Sequence, residues 1–146
     1  MNPPSSLIHH VAGVVLLRED GAALLQLRDE RPGLRLAGQW VFPGGHCEEG
    51  ERIEDCARRE FFEETDYRCG VLNPLVQFLD DTEAEVQDLT FFWASYDGAQ
   101  TPRCLEGQTL EFVPRERAAG IKAPPYLARV WDLALESAAA LKHRQT

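Results

Sequence analysis

The residue pattern predicts an α/β fold in which a mixed β-sheet lies between helices, and three observations carry that expectation. Val11 to Leu17 and Leu89 to Tyr96 are apolar runs rich in β-branched or aromatic residues. The second has large side chains on both of its faces, so it needs cover on both sides. The stretches from about Arg52 to Thr65 and from Leu127 to Leu141 contain neither Gly nor Pro and carry apolar residues at helical spacing. The 146 residues suit one domain, 1–146, long enough to bury roughly two-thirds of its unfolded surface without disulfides or structural metals.

Taken in order, VAGVVLL at Val11 to Leu17 is the first strand. Asp20-Gly21 suits a tight turn into a second strand, Ala22 to Leu27, and the two should pair. Pro32, Gly33 and Gly38 interrupt any periodicity from Arg28 to Gln39, which reads as a loop. Its arginines, Arg28, Arg31 and Arg35, stand just ahead of an acidic stretch, either for solubility or to bind phosphate. Trp40 to Phe42 is a short strand ending in a turn at Pro43-Gly44-Gly45. Beyond the first helix, Val71 to Leu79 is a strand interrupted at Asn73-Pro74, which places it at an edge or bend, and Asp80 to Glu85 is an acidic loop. The Leu89–Tyr96 strand stops at Asp97-Gly98, and Thr109 to Val113 is the last strand. Pro124-Pro125 suits the first turn of a final helix, whose stripe of Leu127, Val130, Trp131, Ala134, Ala138 and Leu141 packs on the sheet. Trp131, at a stripe position, belongs to the core rather than to a base-stacking platform. His9 and His10 are adjacent, would face opposite sides of a strand, and receive no role.

The chemistry concentrates in the first helix. Glu60, Glu63 and Glu64 sit at i, i+3 and i+4, on one face of its last two turns. A solvated acidic face is the plain alternative, but phase argues against it. Each acid lies two turns beyond an apolar residue, Ile53 before Glu60, Cys56 before Glu63 and Ala57 before Glu64, so the core-facing stripe turns anionic halfway along. Unpaired buried carboxylates are prohibitive, and Arg59 alone does not offset three of them. A hard divalent cation does. Oxygen-only donors favour Mg²⁺ or Mn²⁺ over Zn²⁺.

Gly45, then Glu51 after five residues, then Arg59-Glu60-Phe61-Phe62-Glu63-Glu64 after seven more, resembles the signature of the Nudix hydrolases, which cleave nucleoside diphosphates linked to another group. The resemblance implies a Nudix-like α/β/α sandwich whose loop-helix-loop motif runs over residues 45–67. It implies Mg²⁺ (or Mn²⁺) as cofactor and a small-molecule nucleotide as substrate. It makes Glu60 and Glu64 metal ligands, Glu63 a third ligand or base, and Gly44 a carbonyl donor, with Gly45, Glu51 and Arg59 orienting the motif. The base itself stays open. Glu106, in a loop similar to that of nucleotide-sanitising members, is one candidate and Glu111 a second. Asp66 stands where the family usually has glycine, at a helix end that favours the left-handed conformation. Members that remove oxidised guanine nucleotides carry an asparagine shortly after the paired prolines, whereas Tyr126, Leu127 and Ala128 offer no amide. A nucleoside triphosphate, a nucleotide sugar and another diphosphate conjugate all remain open as substrates. The rival class is a Nudix-fold binding or regulatory module that holds nucleotide without turnover.

A net charge of −9 argues against nucleic acid polymers and anionic membranes as partners. Cys47, Cys56, Cys69 and Cys104 show no CxxC pairing, so reduced thiols are expected, with Cys56 in the core. No run reaches the length of a membrane span and the N-terminal MNPPSSLIHH lacks the apolar core of a signal peptide. The expectation is a cytoplasmic protein, monomeric or homodimeric.

Overall fold

The structure is a computed structural model and describes residues 8–82 and 85–144. Seven strands form one sheet: β1 (His9–Leu17), β2 (Ala23–Leu27), β3 (Trp40–Val41), β4 (Gly44–His46), β5 (Asn73–Asp80), β6 (Gln87–Ser95) and β7 (Thr109–Val113). Two helices, α1 (Ile53–Thr65) and α2 (Leu127–Arg144), flank it, with a short 3-10 helix at Arg115–Gly120. The main strand order is β3-β2-β1-β6-β5, with β4 also paired to β1 and β7 to β2. Only β1 and β6 run parallel, in register from His9↔Gln87 to Leu17↔Ser95; the other pairings are antiparallel, so the sheet is mixed as expected.

Period-2 alternation along β1 divides the core. Ala12, Val14 and Leu16 face α1 with Leu24, Phe92 and Ala94, and meet Cys56, Ala57 and Phe61. Val15 and Leu17 face the other way with Leu25, Leu89, Phe91 and Trp93, and meet Leu127, Val130, Trp131 and Ala134 of α2. Each large side chain removed from water in this way contributes roughly 1.5–3 kcal/mol. Trp131 is fully buried and its indole N–H donates to Gly21 O at 3.0 Å, which places it in the core and ties α2 to the β1–β2 turn. Ala138 and Leu141 finish the stripe half-buried. Pro74 lies in the edge strand β5, where the register shifts between Pro74 and Val76, as its missing N–H demands.

Four expectations are corrected. Gly44 and Gly45 are not a turn but strand β4, opposite Gly13 and Ala12; a Cβ on Gly44 would collide with the backbone of Ala12 and Gly13, so glycine is what lets the strands approach. Ile53 is 38% exposed, because a first-turn residue has no preceding helical turn packed around it. Cys47 and Cys56 form a disulfide across a separation of nine residues, their Cα atoms 5.2 Å apart, since the loop after β4 folds back onto the first turns of α1; Cys69 and Cys104 are free. Cys56 is nonetheless fully buried. The acidic loop begins one residue later than expected, because Asp80 is the buried last residue of β5, and residues 83 and 84 of that loop lie outside the described residues. Among the described residues no helix is long and apolar enough to cross a membrane.

Candidate active site

Helix α1 lays its buried arc, Cys56, Ala57, Phe61, Glu64 and Thr65, on the sheet. At about 100° per residue Glu64 falls in the middle of that arc, Glu60 between Glu64 and the arc's Cys56 edge, and Glu63 just beyond that edge. Exposure follows this phase. Glu64 is 3% exposed, the Glu60 side chain 17% and the Glu63 side chain 54%, so three inward carboxylates are corrected to one buried, one bordering and one largely solvated.

Arg59 organises the outer two. Its guanidinium donates to Glu51 in two bonds, Nε to Oε2 at 2.7 Å and Nη2 to Oε1 at 2.9 Å, in the bidentate geometry that fixes both partners. The same group reaches Glu60 at 2.9 Å, Glu63 at 3.2 Å and the carbonyl of His46 at 3.1 Å. Glu51 also accepts from the Glu48 N–H at 3.0 Å, and Arg59 with this amide holds its carboxyl down to about 2. Gly45 belongs here for a steric reason, since a Cβ would run into the Glu60 carboxylate. The orienting roles expected of Gly45, Glu51 and Arg59 therefore have a concrete geometry.

Glu64 has a different neighbourhood. Its Oε1 accepts from Gln26 Nε2 at 2.9 Å and, more weakly, from the Gly44 N–H at 3.4 Å. No Arg or Lys among the described residues pairs with it. Burial pushes its carboxyl up to about 8, and the charges of Glu106 and Glu60 push the same way. Glu60 is raised too, by burial first, against the pull of Arg59. The motif does not include Gln26. It lies in β2 on the face of Leu24, where alternation calls for an apolar residue; a lone buried amide in ALLQL is the signal that marks it.

Glu106 is exposed, but its loop is fixed against the site. The Leu105 N–H donates to Glu64 O at 3.0 Å, the Arg103 N–H to Thr65 O at 2.7 Å, and Gln26 Nε2 reaches Glu106 O at 3.2 Å. Glu111 is elsewhere. It sits opposite Leu25, whose side chain faces α2, and lies 3.9 Å from Arg117, so it drops out as a candidate base. Arg28 and Arg31 line a small cleft with Gln26, Asp29 and Glu106, while Arg35 is drawn toward the α2 side of the sheet by Asp80 at 3.2 Å. Arg28 Nε bonds Arg35 O at 2.8 Å and joins the two. Arg35 Nε and Gln87 Oε1 are buried without a hydrogen-bond partner. Past α1, Asp66 holds φ 58° and ψ 24°, and its N–H donates to Phe62 O at 2.9 Å, the left-handed cap expected of that position. His9 pairs with Glu85 at 2.6 Å and His10 with Asp88 at 2.9 Å.

The half-buried donor set of Glu60 and Glu64, all oxygen, with one carboxylate lacking a cationic partner, is what a hard divalent cation requires. Known proteins agree with the motif and the fold. A 50-residue segment is 52% identical to the nucleoside triphosphatase NudI of Escherichia fergusonii, covering 34% of each chain. The match thus spans about a third of that relative's length. The MutT protein of Methanosarcina mazei Go1 superposes with a TM-score of 0.70 at 23% identity, over 89% of this chain and 94% of that one. A C. elegans Ap4A hydrolase superposes with a TM-score of 0.76 at 18% identity, over 90% and 98%. Both show a shared fold. The family description "NUDIX domain" matches residues 7–132, most of the chain, and the protein is a member of the Nudix hydrolase family.

Proposed function

We propose that the chain hydrolyses a pyrophosphate bond in a small nucleoside diphosphate derivative, such as a nucleoside triphosphate or a nucleotide sugar, with Mg²⁺ (or Mn²⁺) as cofactor. The observation that carries this reading is Glu64: a carboxylate 3% exposed, beside Glu60 and Glu106 and without a cationic partner, has no structural use that an apolar residue would not serve better. Glu60 and Glu64 are the residues that would hold the cation, with Glu63 as third ligand or base and the Gly44 carbonyl as a further donor. What a bound divalent cation supplies there is charge neutralisation on phosphate oxygens and a more acidic water.

The chain's own groups divide the remaining work. Arg59, fixed by Glu51, keeps Glu60 and Glu63 aimed at one place. Glu106 or Glu63 takes the proton of the attacking water. Arg28 and Arg31 bind phosphate at the cleft beside Glu106, and Arg35, with its unpartnered Nε, meets the rest of the nucleotide together with Gln87. A cytoplasmic monomer or homodimer is the setting this reading implies.

A panel of nucleoside triphosphates, nucleotide sugars and other diphosphate conjugates, assayed for phosphate or pyrophosphate release, tests it. Turnover should appear with Mg²⁺ or Mn²⁺ and vanish on chelation. The second reading is a nucleotide-binding module, favoured by one neighbour: the NUDIX domain of Shewanella oneidensis NrtR, with a TM-score of 0.75 at 18% identity over 93% of this chain and 94% of that one, was solved in complex with ADP ribose. Binding without turnover across the whole panel would select it.

A further inference from the structure

The Cys47–Cys56 disulfide closes a loop that contains nothing else of functional weight except Glu51. That residue is the hub of the brace described above. Its carboxylate takes both Arg59 bonds, and a carboxylate oxygen of Glu51 lies within 4.8 Å of both sulfurs. The same short segment is tied to β1 by the Cys47 N–H to His10 O at 2.8 Å, and within itself by the Glu51 N–H to Glu48 O at 3.0 Å and the Glu48 N–H back to the Glu51 side chain, before the chain enters α1. Residues 48, 49 and 50 are exposed. Without the crosslink, Glu51 would be held by Arg59 and by its contacts with the exposed Glu48.

We infer that Cys47–Cys56 is a thiol-exchange site that sets the cation affinity of the neighbouring carboxylates: oxidised, it holds Glu51 against Arg59 and so keeps Glu60 and Glu63 aimed, and reduced, it releases that brace. The cation part of this inference rests on the metal reading above. Cys47 is half-buried and Cys56 fully buried, so the accessible sulfur is that of Cys47. A reductant thiolate attacks Cys47 Sγ; the S–S bond breaks, Cys56 leaves as thiolate and takes a proton, and a second reductant thiol then resolves the mixed disulfide. The two reductant thiols end as their own disulfide and the two electrons reside on Cys47 and Cys56. Once it carries a proton, Cys56 Sγ has an acceptor waiting at 3.7 Å, the carbonyl of Gly45, in the strand that also borders Glu60. Reduction therefore changes contacts on both sides of the carboxylates.

The experiment uses the full chain with Cys104→Ser, which removes the exposed free thiol, compared in three forms: oxidised, reduced with a small dithiol, and carrying Cys47→Ser as well. Alkylation and mass measurement first count the thiols; two reactive thiols at Cys47 and Cys56 under air oxidation would overturn the inference. Amide hydrogen exchange without metal is the readout that does not depend on cation binding. The Cys47, Glu48 and Glu51 amides should exchange faster in the reduced and Cys47→Ser forms, and unchanged exchange would also overturn it. Mn²⁺ titration, followed by the metal-dependent rise in melting temperature, should give about a tenfold weaker affinity in both of those forms, as for the loss of an outer-shell partner. Equal Mn²⁺ affinity in all three would make the crosslink purely structural and refute the inference. Exchange that changes while no form binds Mn²⁺ would instead refute the metal reading and leave the redox-dependent brace standing.

Discussion

Glu64→Gln is the substitution that separates a metal ligand from a buried structural acid. The carboxyl is 3% exposed and pushed up to about 8, against a reference near 4.5, with burial as the main cause. The sign follows from proton linkage. Between these values the folded chain keeps a proton that the unfolded chain has lost, so stability is fully present below about pH 4.5 and falls as pH rises toward 8. The slope is at most about 1.4 kcal/mol per pH unit, which makes the whole effect on the order of 5 kcal/mol. Glutamine has nearly the same volume and carries no ionisable proton. Its carbonyl still accepts from Gln26 Nε2 and the Gly44 N–H. In metal-free buffer the variant should therefore match wild type near pH 5 and exceed it near pH 8, by up to that amount.

Cation should invert the ranking. Mg²⁺ at one hundred times its dissociation constant adds about 2.7 kcal/mol to a chain that binds it only when folded. For a chain of this size each kcal/mol is worth roughly 2–4 °C of melting temperature, so the shift is readily seen. Wild type should gain it, the variant should gain little, and turnover of any substrate found in the panel should fall sharply. Melting curves at pH 5 and pH 8, with and without Mg²⁺, read all of this together. Parallel curves for the two proteins, or full activity in the variant, would remove Glu64 from the site.

Four further substitutions probe neighbouring parts. Gly44→Ala and Gly45→Ala should fail differently: the first forces a Cβ into the β1 backbone and should cost about 1–3 kcal/mol of stability, while the second displaces only the Glu60 side chain and should fold but bind Mn²⁺ more weakly. Denaturant melts and metal titrations of both variants distinguish them, and equal stabilities would refute the assigned contacts. Asp66→Gly should change stability by less than about 1 kcal/mol, because relief of the left-handed strain opposes the added unfolded-state entropy and the exposed 3.5 Å pairing with Arg103 is worth little. A larger loss in a melt would show that the Asp side chain is itself needed. Gln26→Leu should lower activity by freeing the Glu106 loop as well as Glu64, and faster amide exchange at Leu105 is its signature; protection equal to wild type would show that the loop is held by other means.

Much of this site is visible in the chain because helical phase and motif spacing are local. The bounds of α1 and the core position of Trp131 need only periodicity, while the roles of Glu51 and Arg59 come from the resemblance to the family motif; the structure pairs those two residues. What local pattern cannot carry is which part of an amphipathic face the sheet covers. Glu60, Glu63 and Glu64 share a face in sequence, yet the roughly 100° of azimuth between Glu64 and Glu63 separates a 3% exposed acid from one whose side chain is 54% exposed. The Gly44-Gly45 strand escapes for a similar reason. Glycine pairs read as turns unless a partner strand is known, and here the partner is β1, more than thirty residues away in sequence. The disulfide depends on that same return of the chain. Spacing alone does not announce it, because the cysteines meet only once β4 has been pinned to β1.

The loop before α1 and the helix itself thus carry acids in two opposite states, and this bears on how the chain folds without a cation. Glu51 is held ionised by Arg59, while Glu64 is held neutral by burial. The repulsion that three adjacent carboxylates would create is therefore reduced before any metal arrives: Arg59 bridges the outer pair and a proton neutralises the inner one. A cation that binds Glu64 must displace this proton, since a ligand carboxyl has to be ionised. Below pH 8 each binding event should then release close to one proton, and affinity should rise with pH by up to about tenfold per unit before levelling above 8. Adding Mg²⁺ or Mn²⁺ to weakly buffered protein at pH 6.5 with an indicator dye measures the release directly, and Glu64→Gln should abolish it. Binding with no proton released at pH 6.5 would mean that Glu64 is already ionised in the metal-free chain, and would return the argument to Arg59 as the counter-charge for all three acids.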